Sequence, residues 1–140
     1  SINPGSPLAP LIKIASGGEL SRFMLAMKVV LSKINSVPTM IFDEIDTGVG
    51  GAVADAIGKR LAILGQHVQV MVITHQPQVA SRGNAHLRVF KVQKDQTTYT
   101  YIEPLSEEQR REELARMLAG ENITSEARAA AERLMMAEVA

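Results

Sequence analysis

Residues 39–74 read TMIFDEIDTGVGGAVADAIGKRLAILGQHVQVMVIT, and this stretch decides the fold. Thr39 to Asp43 is a short apolar run ending in acid, the pattern of a buried strand in a parallel sheet. Val53, Ile57, Leu61 and Leu64 recur at helical spacing, which predicts a helix over 52–65 closed by Gly65. Val68 to Thr74 is a second buried strand. Strand, helix and strand in this order form a parallel unit with a right-handed crossover, so the fold class is α/β.

Upstream, the spacing predicts a first helix over 16–36. Leu20, Phe23, Met24, Met27, Val30, Leu31 and Ile34 line one face, and Leu25, Ala26 and Val29 add apolar residues elsewhere. Such a helix is expected to be buried over much of its surface. Pro4, Gly5, Pro7 and Pro10 make residues 1–12 extended or turn-rich. Downstream, 86–93 and 97–103 alternate around Lys94-Asp95-Gln96, which predicts a hairpin. Ser106 with Gln109 forms a capping box that opens a polar helix over 106–119. A last, Ala-rich helix is expected over 124–139. No internal repeat is visible.

The chain has 140 residues with 15 Lys/Arg and 15 Asp/Glu, a formal charge of +0. That length suits one domain. Hydrophobic residues are 46% and charged residues 21%, which excludes a disordered or low-complexity chain. No apolar run approaches the roughly 20 residues of a membrane span. Cys 0 excludes disulfides and thiolate chemistry, and fits a reducing compartment. The zero charge is uneven. Residues 1–105 carry ten basic and seven acidic residues, and residues 106–140 carry five and eight. Five of the ten glycines (Gly17, Gly18, Gly48, Gly50, Gly51) fall in two short stretches.

Ser16-Gly17-Gly18-Glu19 opens the first helix. One reading is a capping box, with Ser16 at the N-cap and Glu19 three residues later. The other starts from the cost of two glycines in a first turn, about 1 kcal/mol each in helix propensity. Glycines there allow close approach to a helix N-terminus, whose free amides and positive dipole end suit phosphate. Arg22, one turn on, either supports that phosphate or pairs with a neighbouring acid.

Asp43, Glu44 and Asp46 follow the first strand. Between Lys33 and Lys59 no basic residue occurs, while Asp43, Glu44, Asp46 and Asp55 lie there. One reading is a solvated acidic loop. The other is a Mg²⁺ site, since Mg²⁺ takes one or two carboxylates plus phosphate oxygens and water. The carboxyl edge of a parallel sheet is where α/β proteins bind ligands. On that reading Asp43 holds the metal, directly or through water, and Glu44 orients and deprotonates an attacking water. His75 ends the next strand at the same edge; it is either structural or placed to touch a γ-phosphate. His67 and His86 have no metal-ligand spacing, so zinc is not expected. Arg82, Arg88, Lys91 and Lys94 form a loosely basic stretch, read either as a solvated strand face or as a DNA contact.

Three motifs thus stand in order: SGGELSR, TMIFDEIDTGVGG and VITHQPQVAS. Together they resemble the C-terminal half of an ATP-binding-cassette ATPase head of the SMC-like type. SGGE resembles that family's signature, MIFDE its Walker B strand with catalytic glutamate, Ile45-Asp46-Thr47-Gly48 its D-loop, and His75 its switch histidine. NPGSPLAPLIKIASGGELSR, DEIDTGVGGAVADAIGKRL and THQPQVASRGNAHLRVFK narrow the resemblance to the family's bacterial branch for DNA double-strand-break repair, over essentially the whole chain.

The resemblance implies a parallel-sheet C-terminal lobe of a P-loop head, with a terminal hairpin and C-terminal helices. It implies ATP and Mg²⁺ as cofactors and a second head as partner, in a homodimer that sandwiches two ATPs. Ser16, Gly17, Gly18 and Glu19 would then serve one nucleotide, and Asp43, Glu44 and His75 another, with Asp46 in the nucleotide-binding D-loop. The Walker A pattern Gly-x-x-x-x-Gly-Lys-Ser/Thr is absent from these 140 residues. A separate N-terminal lobe is therefore an expected partner, and ATP turnover is not expected of the chain alone. Residues 1–15 would lead in from a coiled coil, 16–105 would carry the signature, Walker B and switch regions, and 106–140 the terminal helices. DNA would be met through the full-length protein, in the cytoplasm at the nucleoid, with no membrane involved. Two other readings stay open: the head of another SMC-like chromosome-organising ATPase, and a non-catalytic dimerisation module.

Overall fold

The computed structural model describes residue 10, residues 16–31 and residues 38–137. The extended lead-in expected over 1–15 falls almost entirely outside these residues, as does the end of the first helix beyond residue 31.

Helix α1 spans Gly17–Leu31 and strand β1 spans Thr39–Asp43. Helix α2 (Gly51–Gly65) leads to strand β2 (Gln69–Ile73), which pairs with β1 in parallel, Thr39 opposite Gln69 and Asp43 opposite Ile73. The expected strand–helix–strand unit is present. A short helix α3 (Pro77–Ala80) follows, then the antiparallel hairpin of β3 (Leu87–Lys94) and β4 (Thr97–Pro104). Helices α4 (Glu107–Ala119) and α5 (Ser125–Met136) end the described chain. The last helix stops at Met136, and Ala137 is extended, short of the expected 139.

Ala54, Ile57, Gly58, Leu61 and Leu64 form the buried stripe of α2. The stripe covers one face of the sheet, where Met40 and Phe42 are buried and Val70 and Val72 pack beside them. Each Leu or Ile buried here contributes about 1.5–3 kcal/mol. Gly58 sets how closely α3 approaches. A Cβ there would lie 2.9 Å from the Gln78 carbonyl oxygen, so only glycine fits without a shift.

The other sheet face is open among the described residues, which corrects the expectation of strands buried on both sides. Ile41 is 64% exposed, and Met71 and Ile73 are exposed beside it. The cause is geometric: α2 packs on one side only, and the period-two alternation of a strand turns Thr39, Ile41 and Asp43 to the other. The first helix differs in the same way. Phe23, Met24 and Met27, expected in the core, are exposed, and Leu25, among the described side chains of this helix, enters it.

A second core holds Leu114, Ala115, Ala127 and Ala131 between α4 and α5. Helix α3 joins the two cores, since Val79 belongs to the first and Ala80 packs on the second. The capping box at Ser106 and Gln109 is formed in both directions, at 3.3 and 2.8 Å. Thr124 caps α5 through the Ala127 amide. The hairpin turns through Asp95 and Gln96, both at positive φ, the geometry of a two-residue turn matched to strand twist. Almost all its side chains are exposed; Phe90 stacks on Tyr101 with centroids 5.6 Å apart.

Candidate functional site

The carboxyl ends of β1 and β2 lie side by side because the two strands run parallel. The pairing continues one step past β1, where the Glu44 amide donates to the Ile73 carbonyl at 3.0 Å. Glu44 adopts φ +47°, a left-handed conformation that costs a non-glycine residue about 1–3 kcal/mol and concentrates at functional sites. The turn closes through Thr47 N to Glu44 O at 3.1 Å and passes Gly48 at φ +73°. Asp43 and Glu44 are exposed at this edge, and His75, two residues beyond β2, is exposed at the same edge. Asp43, Glu44 and His75 thus follow the ends of two adjacent parallel strands, at one edge of the sheet.

Asp46 is different. It is 0% exposed, and Thr74 Oγ1 donates to its Oδ2. Its carboxylate turns inward, toward the end of β2. An acid just after two exposed acids gives no local sign of burial, because its partner is 28 residues away. The same Thr74 oxygen accepts the Gln76 amide at 2.9 Å, and Gln76 Nε2 donates to the Val49 carbonyl at 3.3 Å. Thr74 and Gln76, which the motif reading passed over, therefore stitch the turn after β1 to the turn after β2. Their side-chain types on either side of a strand-end histidine are the one signal the sequence carried.

At the start of α1 the capping box is formed. Glu19 N donates to Ser16 Oγ at 3.3 Å, while Glu19 Oε2 accepts from Ser16 N and Ser16 Oγ at 2.8 Å each. The Ser16 amide bond, then its hydroxyl, hold the Glu19 carboxyl below the usual carboxylate range. A Cβ on Gly18 would lie 3.2 Å from the Thr47 carbonyl oxygen, so this glycine lets the helix N-terminus lie against the turn after β1. Gly18 therefore borders the loop that follows Asp43 and Glu44, and Ser16 and Glu19 belong to the same helix start. Gly17 opens the same helix turn.

Asp55 has local cations: Lys59 at 3.4 Å and Arg82 at 2.6 Å, and its hydrogen bond with Arg82 draws its carboxyl below the ordinary range. The basic stretch is not one patch. Arg82 is spent on Asp55, Arg88 pairs with Glu103 at 2.5 Å, and alternation puts Lys91 and Lys94 on opposite hairpin faces. Among the described residues no ion pair engages Asp43 or Glu44, and no group of three His, Cys, Asp or Glu could alone hold a metal. A Mg²⁺ held by one carboxylate together with phosphate oxygens needs no such group, and the exposed, unpaired Asp43 fits that donor set. Burial pushes the His86 imidazole down, and it lies apart from this edge in the cleft beside α4.

No protein-family model matches the chain. Over 133 residues it is 53% identical to a DNA repair protein RecN of Xylella fastidiosa, covering 95% of this chain and 24% of that protein. It is 49% identical over 135 residues to RecN of Rickettsia conorii and 47% identical over 137 residues to RecN of Vibrio cholerae. The chain spans about a quarter of the length of these relatives. A solved structure from a study of ATP-driven dimerization and DNA-stimulated activation of SMC ATPases matches with a TM-score of 0.56 at 19% identity, covering 84% of this chain and 70% of that one. Among the described residues no helix is long and apolar enough to cross a membrane. The chain is homologous over nearly its whole length to a C-terminal portion of the RecN DNA repair proteins, and it shares its fold with a solved structure from work on SMC ATPases.

Proposed function

We propose that this chain is the C-terminal half of an ATP-hydrolysing head in a RecN-like protein of DNA double-strand-break repair. The observation that carries the reading is the shared edge of Asp43, Glu44 and His75, fixed by the parallel register of β1 and β2.

Asp43 would hold Mg²⁺, directly or through water, and the ion would supply neutralisation of phosphate charge. Glu44 would accept a proton from the attacking water. His75 faces the γ-phosphate from the neighbouring strand end. Ser16, Gly17, Gly18 and Glu19 form a helix start that serves the nucleotide of a second head, where free amides favour phosphate. For Ser16 to reach that phosphate, its hydroxyl gives up the Glu19 carboxylate. Asp46 acts from inside, by holding the loop that carries Glu44.

The open face of Ile41, Met71 and Ile73 supports a composite head, because parallel sheets are normally covered on both sides. An N-terminal lobe carrying Walker A supplies that cover, and the homodimer of heads completes two ATP sites. DNA is engaged by the full-length protein, in the cytoplasm.

The experiment is a comparison of Mg-ATP hydrolysis. The full-length protein turns ATP over, and the 140-residue chain neither hydrolyses nor tightly binds it in calorimetry. Tight Mg-ATP binding by the chain alone would contradict the composite head.

A further inference from the structure

We propose that Thr74 is a positioning residue whose single hydroxyl sets both the turn bearing Glu44 and the turn bearing His75. The proposal deepens the ATPase reading above and rests on it for its kinetic arm.

A hydroxyl has one donor hydrogen and two acceptor lone pairs. Thr74 uses them in two directions. It donates to Asp46 Oδ2, two residues after Glu44, and accepts from the amide of Gln76, directly after His75. The two contacts face opposite turns, so one side chain couples them. Asp46 makes the coupling consequential. Its carboxylate is fully buried, and its Oδ1 has no partner among the described residues. Removing the Thr74 hydroxyl therefore leaves a buried carboxylate without a donor, a costly state that the loop relieves by moving. The same removal frees the Gln76 amide. Gln76 also reaches back to the Val49 carbonyl, so the displacement is shared by both turns. Thr74 itself does not join the exposed Asp43–Glu44–His75 edge: it is half-buried and bound on its inner side to Asp46.

The test uses the full-length protein with Thr74→Val, Thr74→Ala and Thr74→Ser. Val keeps the shape and loses the hydroxyl; Ala makes the same deletion should Val not be accommodated; Ser keeps the hydroxyl. The expected result is a kcat for Mg-ATP lowered about tenfold or more in the Val and Ala variants, with KM within about twofold and near-normal kcat in Ser. In parallel, amide exchange at Gln76 accelerates about tenfold in Val and Ala but not in Ser. Retention of kcat by Val and Ala, or an equal loss in Ser, overturns the proposal. So does unchanged Gln76 exchange. Should the wild-type protein prove unable to hydrolyse ATP, the ATPase reading fails, and the exchange comparison alone decides the role of Thr74.

Discussion

Glu44 donates its backbone amide to the Ile73 carbonyl at 3.0 Å, so the carboxylate that follows β1 is tied to the end of β2. This bond holds the turn at the point where its backbone is left-handed. It extends the parallel pairing of β1 and β2, which is why a glutamate and a histidine about 30 residues apart in sequence share one sheet edge.

The close fit between α2 and α3 predicts a steric effect. Gly58→Ala places a Cβ 2.9 Å from the Gln78 carbonyl oxygen and from Arg82 Cγ. The expected outcome is a destabilisation of about 1–3 kcal/mol, visible as a lower thermal midpoint. Gly65→Ala is the matched control, since nothing lies within 4 Å of its added Cβ. Equal midpoints for the two variants would remove Gly58 from the account.

Leu64 is nearly inaccessible in the first core. Leu64→Ala is expected to cost about 2–5 kcal/mol, because the lost transfer energy adds to that of the cavity. Denaturant titration measures it, and a loss well under 1 kcal/mol would mean that this core is not packed as described.

Asp55 gives a pH prediction. Its folded-state pKa is depressed, first by the Arg82 hydrogen bond. Its contribution is therefore complete above the ordinary carboxylate value of about 3.9, and is lost as pH falls through the lower folded-state value. Asp55→Asn should flatten that acid limb of the stability profile. An acid limb identical to wild type would show that the Arg82 pair carries no proton linkage.

Much of this was readable in sequence, and the parts that were not have physical causes. The α2 stripe, the parallel pairing and the Ser106–Gln109 capping box follow local spacing, and spacing is written in the chain. The exposed Ile41 was not readable, because an apolar strand looks the same whether one face is covered or two. Asp46 escaped for a related reason: its burial depends on Thr74, which sequence distance hides. For Asp55 the i+4 partner Lys59 is legible, whereas Arg82 lies 27 residues on and reaches it only through the fold.

The helix that Ser16 caps yields a test of pairing. Ser16→Arg puts a bulky cation at the exposed start of α1, against the approach of a second head. ATP-dependent dimerisation of the full-length protein, followed by analytical ultracentrifugation, should be abolished. Dimerisation at wild-type ATP concentrations would refute a role for this helix start in the partner's site.

The most direct measurement is the single-turnover rate of Mg-ATP hydrolysis by full-length protein carrying Glu44→Gln, alongside its ATP affinity. The substitution keeps size and removes the proton acceptor. Hydrolysis is predicted to fall about 10²–10⁴-fold, with ATP binding and head association preserved. Hydrolysis at the wild-type rate would contradict Glu44 as the base, and with it the reading of this sheet edge as half of an ATPase site.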